Sequence, residues 1–124
     1  MVGMHQIAVV ASMVYFFAFG AVFVLRPTMI GHLGLEWTNA AGKTEVRCYY
    51  GAVSWALAAF LGYLVSRDLT LEALTGVLFL ATAVFVTRVI GSFVDGGWSQ
   101  TYNRQAVPIE GAFVVLLLVF RVVG

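Results

Sequence analysis

The stretch IAVVASMVYFFAFGAVFVL, from Ile7 to Leu25, holds no ionisable side chain except Tyr15. A helix needs about 20 largely apolar residues to cross roughly 30 Å of hydrocarbon, and this run supplies them. Met1 to Gln6 contains no Lys or Arg, and the apolar run is longer than a signal-peptide core. It therefore reads as a retained span rather than a cleaved leader, despite Ala18-Phe19-Gly20 as a small-residue cleavage site. Cys48 to Val65 is equally free of charge and carries Trp55 near its middle. Two further runs contain charge: Leu69 to Val94 holds Glu72 and Arg88, and Ala106 to Val123 holds Glu110 and Arg121. The spans, at about 7–25, 48–65, 69–94 and 106–123, predict an all-α integral membrane four-helix bundle forming one transmembrane domain over residues 1–124.

Composition supports this from outside the spans. The chain is 61% hydrophobic and 10% charged, whereas soluble domains carry roughly 25% charged and about 45–50% apolar residues. A net charge of +1, with such high hydrophobicity, excludes disorder and offers no basic field for nucleic acid. Cys48 is the only cysteine, so neither an internal disulfide nor a thiolate metal cluster can form.

The connections differ. Arg26 to Val46 is the one sizeable loop, with Pro27 at a helix start, Gly31, Gly34 and Gly42 as breakers, Trp37 as an interfacial anchor, and room for a short surface helix. Ser66-Arg67-Asp68 is a tight turn in which Asp68 or Thr70 can cap the third helix. Asp95-Gly96-Gly97-Trp98 through Gln105 forms the third connection, its two glycines allowing a sharp exit. Arg26, Lys43, Arg47, Arg88 and Arg104 fall toward the first and third loops, against Arg67 and Arg121 on the other side. The positive-inside rule then puts the termini on the non-cytoplasmic side. Trp37, Trp98, Tyr49, Tyr50 and Tyr102 share the loop side and fit an aromatic belt.

This topology gathers charge at one end. Arg47 opens the second helix, Arg88 and Asp95 lie near the exit of the third, and Glu110 lies near the entry of the fourth. At 1.5 Å per residue, Arg88 is roughly 9–10 Å below Asp95 and Glu110 about 6 Å past Ala106, so the two reach similar depths. Helical spacing aligns Arg88 with Gly91 and Asp95, and Arg47 with Tyr50 and Ser54, the latter continuing into Ala58 and Gly62. Ala83, Thr87 and Gly91 repeat the small-residue step that lets membrane helices approach closely, so these faces should look inward. A charge inside a span costs several kcal/mol unless it pairs, faces the interior or lines a wet cavity. A buried pair of Glu110 with Arg47 or Arg88 is therefore expected. Against it stands simple snorkelling of Arg47, Asp95 and Glu110 to the headgroups.

The remaining polar residues carry less. His5 and His32 lack the spacing of metal or haem ligands, so no metal site is expected and a cofactor stays unknown. Ser12, Ser54 and Ser92 have no intramembrane His to activate them. Glu72 and Arg121 share the opposite end and should pair or snorkel.

Arg47-Cys48-Tyr49-Tyr50-Gly51, Arg88-Val89-Ile90-Gly91 followed by Asp95-Gly96, and Glu110 early in the last span together resemble a small bacterial family of unknown function among the DoxX-like four-helix membrane proteins. The resemblance runs from about Ile7 to Val123. It implies a compact four-helix membrane bundle in the bacterial inner membrane and makes Arg47, Tyr50, Arg88, Asp95 and Glu110 the polar signature, with no established reaction.

Three functions fit these residues. The first is a non-enzymatic membrane component whose ligand-binding residues Arg47, Tyr50, Arg88, Asp95 and Glu110 hold a lipid, a quinone-like hydrophobic small molecule or a membrane partner. Its lipid-facing sides suit a homo-oligomer or a larger membrane complex. The second is an intramembrane isomerase or cyclase in which Glu110 and Asp95 are the catalytic acid and base, and an arginine steadies an oxyanion. The third is a proton-coupled transporter with Glu110 as relay, which four spans would achieve only as an oligomer.

Overall fold

The computed structural model describes residues 3–123, and every regular element among them is helical. Helix α1 spans Met4–Leu25, α2 Ala40–Ser66, α3 Thr70–Val94 and α4 Thr101–Val123. A 3-10 helix at Pro27–Leu33 precedes α2, and another at Gly97–Ser99 precedes α4. The shortest of the four, α1, has 22 residues, about 33 Å at 1.5 Å per residue. All four are long and apolar enough to cross a membrane. Outward side chains agree with that solvent: Phe79 and Val122 are each 74% exposed, a liability in water and a natural lipid contact.

Helix ends depart from the apolar runs where capping decides. The Asn39 carboxamide oxygen accepts the Gly42 N–H at 3.0 Å, so α2 starts at Ala40 and its first turns, with exposed Lys43, Glu45 and Arg47, belong to the helix rather than to the loop. Pro27 opens the first 3-10 helix, as expected, and Gly34, with φ +79°, closes it. The turn before α3 corrects the expected caps. Asp68 adopts a left-handed φ of +59°, and Leu69 precedes the helix with no side-chain cap from Asp68 or Thr70. Helix α4 begins at Thr101, upstream of the apolar run, and contains Pro108, which has no N–H to give the Arg104 carbonyl.

The chain divides into two compact units. In Val10–Asp68, α1 from Val10 onward packs on α2 through glycine. A Cβ placed on Gly20 would lie 2.5 Å from Trp55 Cδ1 and 2.8 Å from the Gly51 carbonyl oxygen, and one on Gly51 would lie 3.0 Å from the Val24 nitrogen. Backbone therefore meets backbone, as small residues permit in membranes. Here α2 widens into a π-helical segment, Arg47–Ala52, in which the Val53 N–H reaches back to the Cys48 carbonyl. The Trp55 indole N–H donates to the Phe17 carbonyl at 3.0 Å, and its ring stacks on Phe17 at 6.0 Å. Ser54 and Ala58 are buried, and Gly62 faces the Met13 methyl, so the small-residue stripe expected on this helix does look inward.

The second unit joins the start of α1, up to Val9, to α3 and α4. Helices α3 and α4 pack tightly where Gly111 faces Phe85: a Cβ there would lie 3.1 Å from the ring. The expected stripe of Ala83, Thr87 and Gly91 is not such a contact. Ala83 and Thr87 are exposed, and a Cβ on Gly91 would meet only Asp95 of its own chain segment. The close approach is made by a glycine of the other helix, which a large aromatic ring fills.

Candidate functional site

The polar site is the corner where α3 turns into α4. Asp95 caps α3, Gly96 takes a φ of +68° that suits glycine, and the 3-10 turn then reverses the chain. The reversal sets the last turns of α3 beside the first turns of α4. On α4, Asn103 and Glu110 are seven residues apart and share a face, with buried Ala106 between them. The Arg88 side chain of α3 bonds to both of these residues, Asn103 and Glu110.

The Arg88 guanidinium is held on several sides. Its Nε donates to Glu110 Oε1 at 2.5 Å and one terminal nitrogen donates to Asn103 Oδ1 at 3.3 Å. Its carbon lies 5.1 Å from the centre of the Tyr102 ring, within cation–π reach. The Asn103 amide nitrogen in turn donates to the Gly97 carbonyl at 3.2 Å, tying the arginine to the turn that built the corner. Arg88 and Glu110 side chains are 24% and 26% exposed, so the pair is half-buried, a correction to the buried pair expected. Next to it a shallow groove of about 360 Å³ runs along α3, lined by Ala83, Val84, Thr87 and Arg88.

Of the residues expected to meet, the corner unites Arg88 and Glu110. Among the described residues this is the one ion pair. Asp95 is exposed at the end of α3, its N–H bonded to the Gly91 carbonyl. Arg47 and Tyr50 belong to the other unit, where Arg47 donates to the Val24 carbonyl at 2.8 Å and Tyr50 packs on Phe23 with ring centres 5.9 Å apart. The partner of Glu110 is thus Arg88. Glu72 and Arg121, expected to pair or snorkel, do not pair: Arg121 Nε donates to Thr75 Oγ1 at 2.9 Å, and Glu72 is exposed. His5, read as lying before the first span, is inside α1 and its Nε2 bonds the Arg121 carbonyl at 3.1 Å.

Asn103, Tyr102, Ser92 and Gly97 complete the corner and were not singled out as site residues from the sequence. Asn103 stands seven residues before Glu110 and Ser92 four after Arg88, so helical spacing was the signal that could have found them.

A family model described as a domain of unknown function, DUF4345, matches residues 4–121. No curated protein and no solved structure matches the chain.

Proposed function

We propose that this chain, which belongs to the DUF4345 family, a family of unknown function as expected, is a non-enzymatic membrane protein that holds an amphiphilic molecule at the α3–α4 corner. The polar head lies against Arg88, Asn103 and Glu110, and the apolar tail follows the groove of Ala83, Val84 and Thr87. The carrying observation is that Arg88 is fixed by Glu110 and Asn103 at the mouth of an apolar groove. An arginine within a span is expensive, and such residues mark ligand or ion sites by default. The shape, a polar end beside a shallow apolar groove, suits lipids and other lipid-soluble compounds. Kinship with DoxX-like proteins, a bacterial inner membrane and termini outside the cytoplasm belong to the same proposal, supported by the order of the motifs and the placement of Lys and Arg.

A second reading has one observation in its favour. The Glu110 carboxylate sits beside a guanidinium next to the groove, the pairing an intramembrane isomerase or cyclase would use for proton transfer and oxyanion support.

Native mass spectrometry of protein released gently from its membrane tests both. Wild-type protein should carry a small molecule that Arg88→Ala loses and Ser66→Ala, at the exposed last residue of α2, keeps. Bare wild-type protein would overturn the binding reading. Turnover of the recovered molecule, lost in Glu110→Gln, would move the assignment to the enzyme.

A further inference from the structure

The opposite end of the same unit holds a second arginine in different surroundings. Arg121 lies in the last turn of α4, eleven residues beyond Glu110 and so roughly 16 Å from it along the helix. Its Nε donates to Thr75 Oγ1 at 2.9 Å, and that hydroxyl donates onward to the Leu71 carbonyl at 2.8 Å. The hydroxyl proton is thus occupied, which leaves the lone pairs of Thr75 to hold the guanidinium. The backbone is held as well. His5 Nε2 donates to the Arg121 carbonyl at 3.1 Å, tying the start of α1 to the end of α4. His5, Thr75 and Arg121 are all half-buried and belong to one compact unit.

Nothing in this cluster matches the charge. Among the described residues the one ion pair is that of Arg88 with Glu110, and the terminal nitrogens of Arg121 make no hydrogen bond there. The carboxylate of α3 is Glu72, three residues before Thr75; it is exposed and does not pair with Arg121. The partial negative charge at the C-terminus of α4 favours a cation, yet it amounts to about half a charge. A guanidinium has five N–H donors, and here Nε alone is used.

We infer that Arg121 binds the phosphate of an anionic lipid, at a site separate from the α3–α4 corner. In the last turn of a span, a long cationic side chain stands at headgroup depth. Held through Nε, it presents its terminal nitrogens as a fork, the geometry that phosphate oxygens match in pairs. A headgroup whose phosphate is its sole charge supplies the missing counter-charge. A choline headgroup brings a cation of its own and gains less. Arg88 lacks this need, because Glu110 already matches it.

The test is a titration of the detergent-purified full chain, read by native mass spectrometry as the fraction carrying lipid. Dioleoylphosphatidylglycerol is the anionic probe and dioleoylphosphatidylcholine the zwitterionic one with the same tails. Wild-type protein should bind the anionic lipid about 10-fold tighter, the worth of a hydrogen bond to a charged group. Arg121→Ala should erase that preference and Arg88→Ala should keep it. Because His5 bonds the Arg121 backbone, the alanine variant retains the tie between α1 and α4. Thr75→Val, of like shape but without the hydroxyl that holds the guanidinium, should reduce the preference about 3-fold and guards against a folding defect in the first variant. Equal binding of the two lipids by wild-type protein, a preference that survives in Arg121→Ala, or one lost in Arg88→Ala overturns the inference. Displacement of the anionic lipid by inorganic phosphate at equal concentration also overturns it, in favour of a soluble anion.

Discussion

Arg47 and Arg88 stand near comparable helix ends, yet they satisfy different things. Arg47 reaches a backbone carbonyl: Val24 lies in the last turn of α1, where carbonyls have no helical donor, and the guanidinium supplies one. Trp55 also donates to backbone, at Phe17. Around them Gly20 and Gly51 let the helices touch. In the α3–α4 corner, side chains bind side chains, Arg88 to Glu110 and Asn103, and the buried Ser92 Oγ and Trp98 Nε1 have no hydrogen-bond partner among the described residues. Polar groups that serve backbone close a seam, whereas in the corner polar groups serve each other beside an open groove, where we propose that a ligand binds.

If the first region is a seam, filling it should do the most damage. Gly20→Val puts side-chain atoms where Trp55 and the Gly51 carbonyl already are, and backbone cannot give way as a flexible tip can. A loss of about 3 kcal/mol or more is expected from such overpacking, read by denaturation in mixed micelles. Arg88→Ala comes next. Breaking a fully buried pair costs about 3–5 kcal/mol, and a pair about a quarter exposed should lose less, roughly 2 kcal/mol. Adding Glu110→Gln to Arg88→Ala should restore part of that loss, because the stranded carboxylate is then neutral. No recovery would mean that Glu110 was not relying on Arg88.

The sequence made the spans legible because charge-free runs of that length have few other uses. It also brought Arg88 and Glu110 together, since span order and rise per residue fix depth. The start of α2 was hidden because Ala40–Val46 is polar, although Asn39 was a visible cap. Asp68 misled for a related reason: a residue type that caps helices also tolerates the left-handed backbone it adopts here. Ala83, Thr87 and Gly91 looked like a helix contact because small residues facing lipid and small residues facing a helix are alike in composition. The seam at Gly20 and Gly51 and the π-helical turn depend on how two helices meet, and no local pattern carried them. Asn103 fell in a stretch read as connection, so its shared face with Glu110 went unused.

Smaller changes sharpen the contrast at the seam. Trp55→Phe keeps an aromatic ring on Phe17 and removes one donor. Because the Phe17 carbonyl lies inside α1 and has its helical partner, nothing buried is stranded, and a loss of about 1 kcal/mol is expected. Arg47→Ala should cost less still, about 0.5 kcal/mol, since Arg47 is exposed and the Val24 carbonyl it leaves is open to water or headgroups. The same variant should leave lipid binding at the α3–α4 corner unchanged in the native mass spectra. Should Arg47→Ala instead abolish binding while barely altering stability, Arg47 would be a ligand-binding residue after all. The distinction between arginines that serve backbone and arginines that build a site would then fail at the residue where it is drawn most sharply.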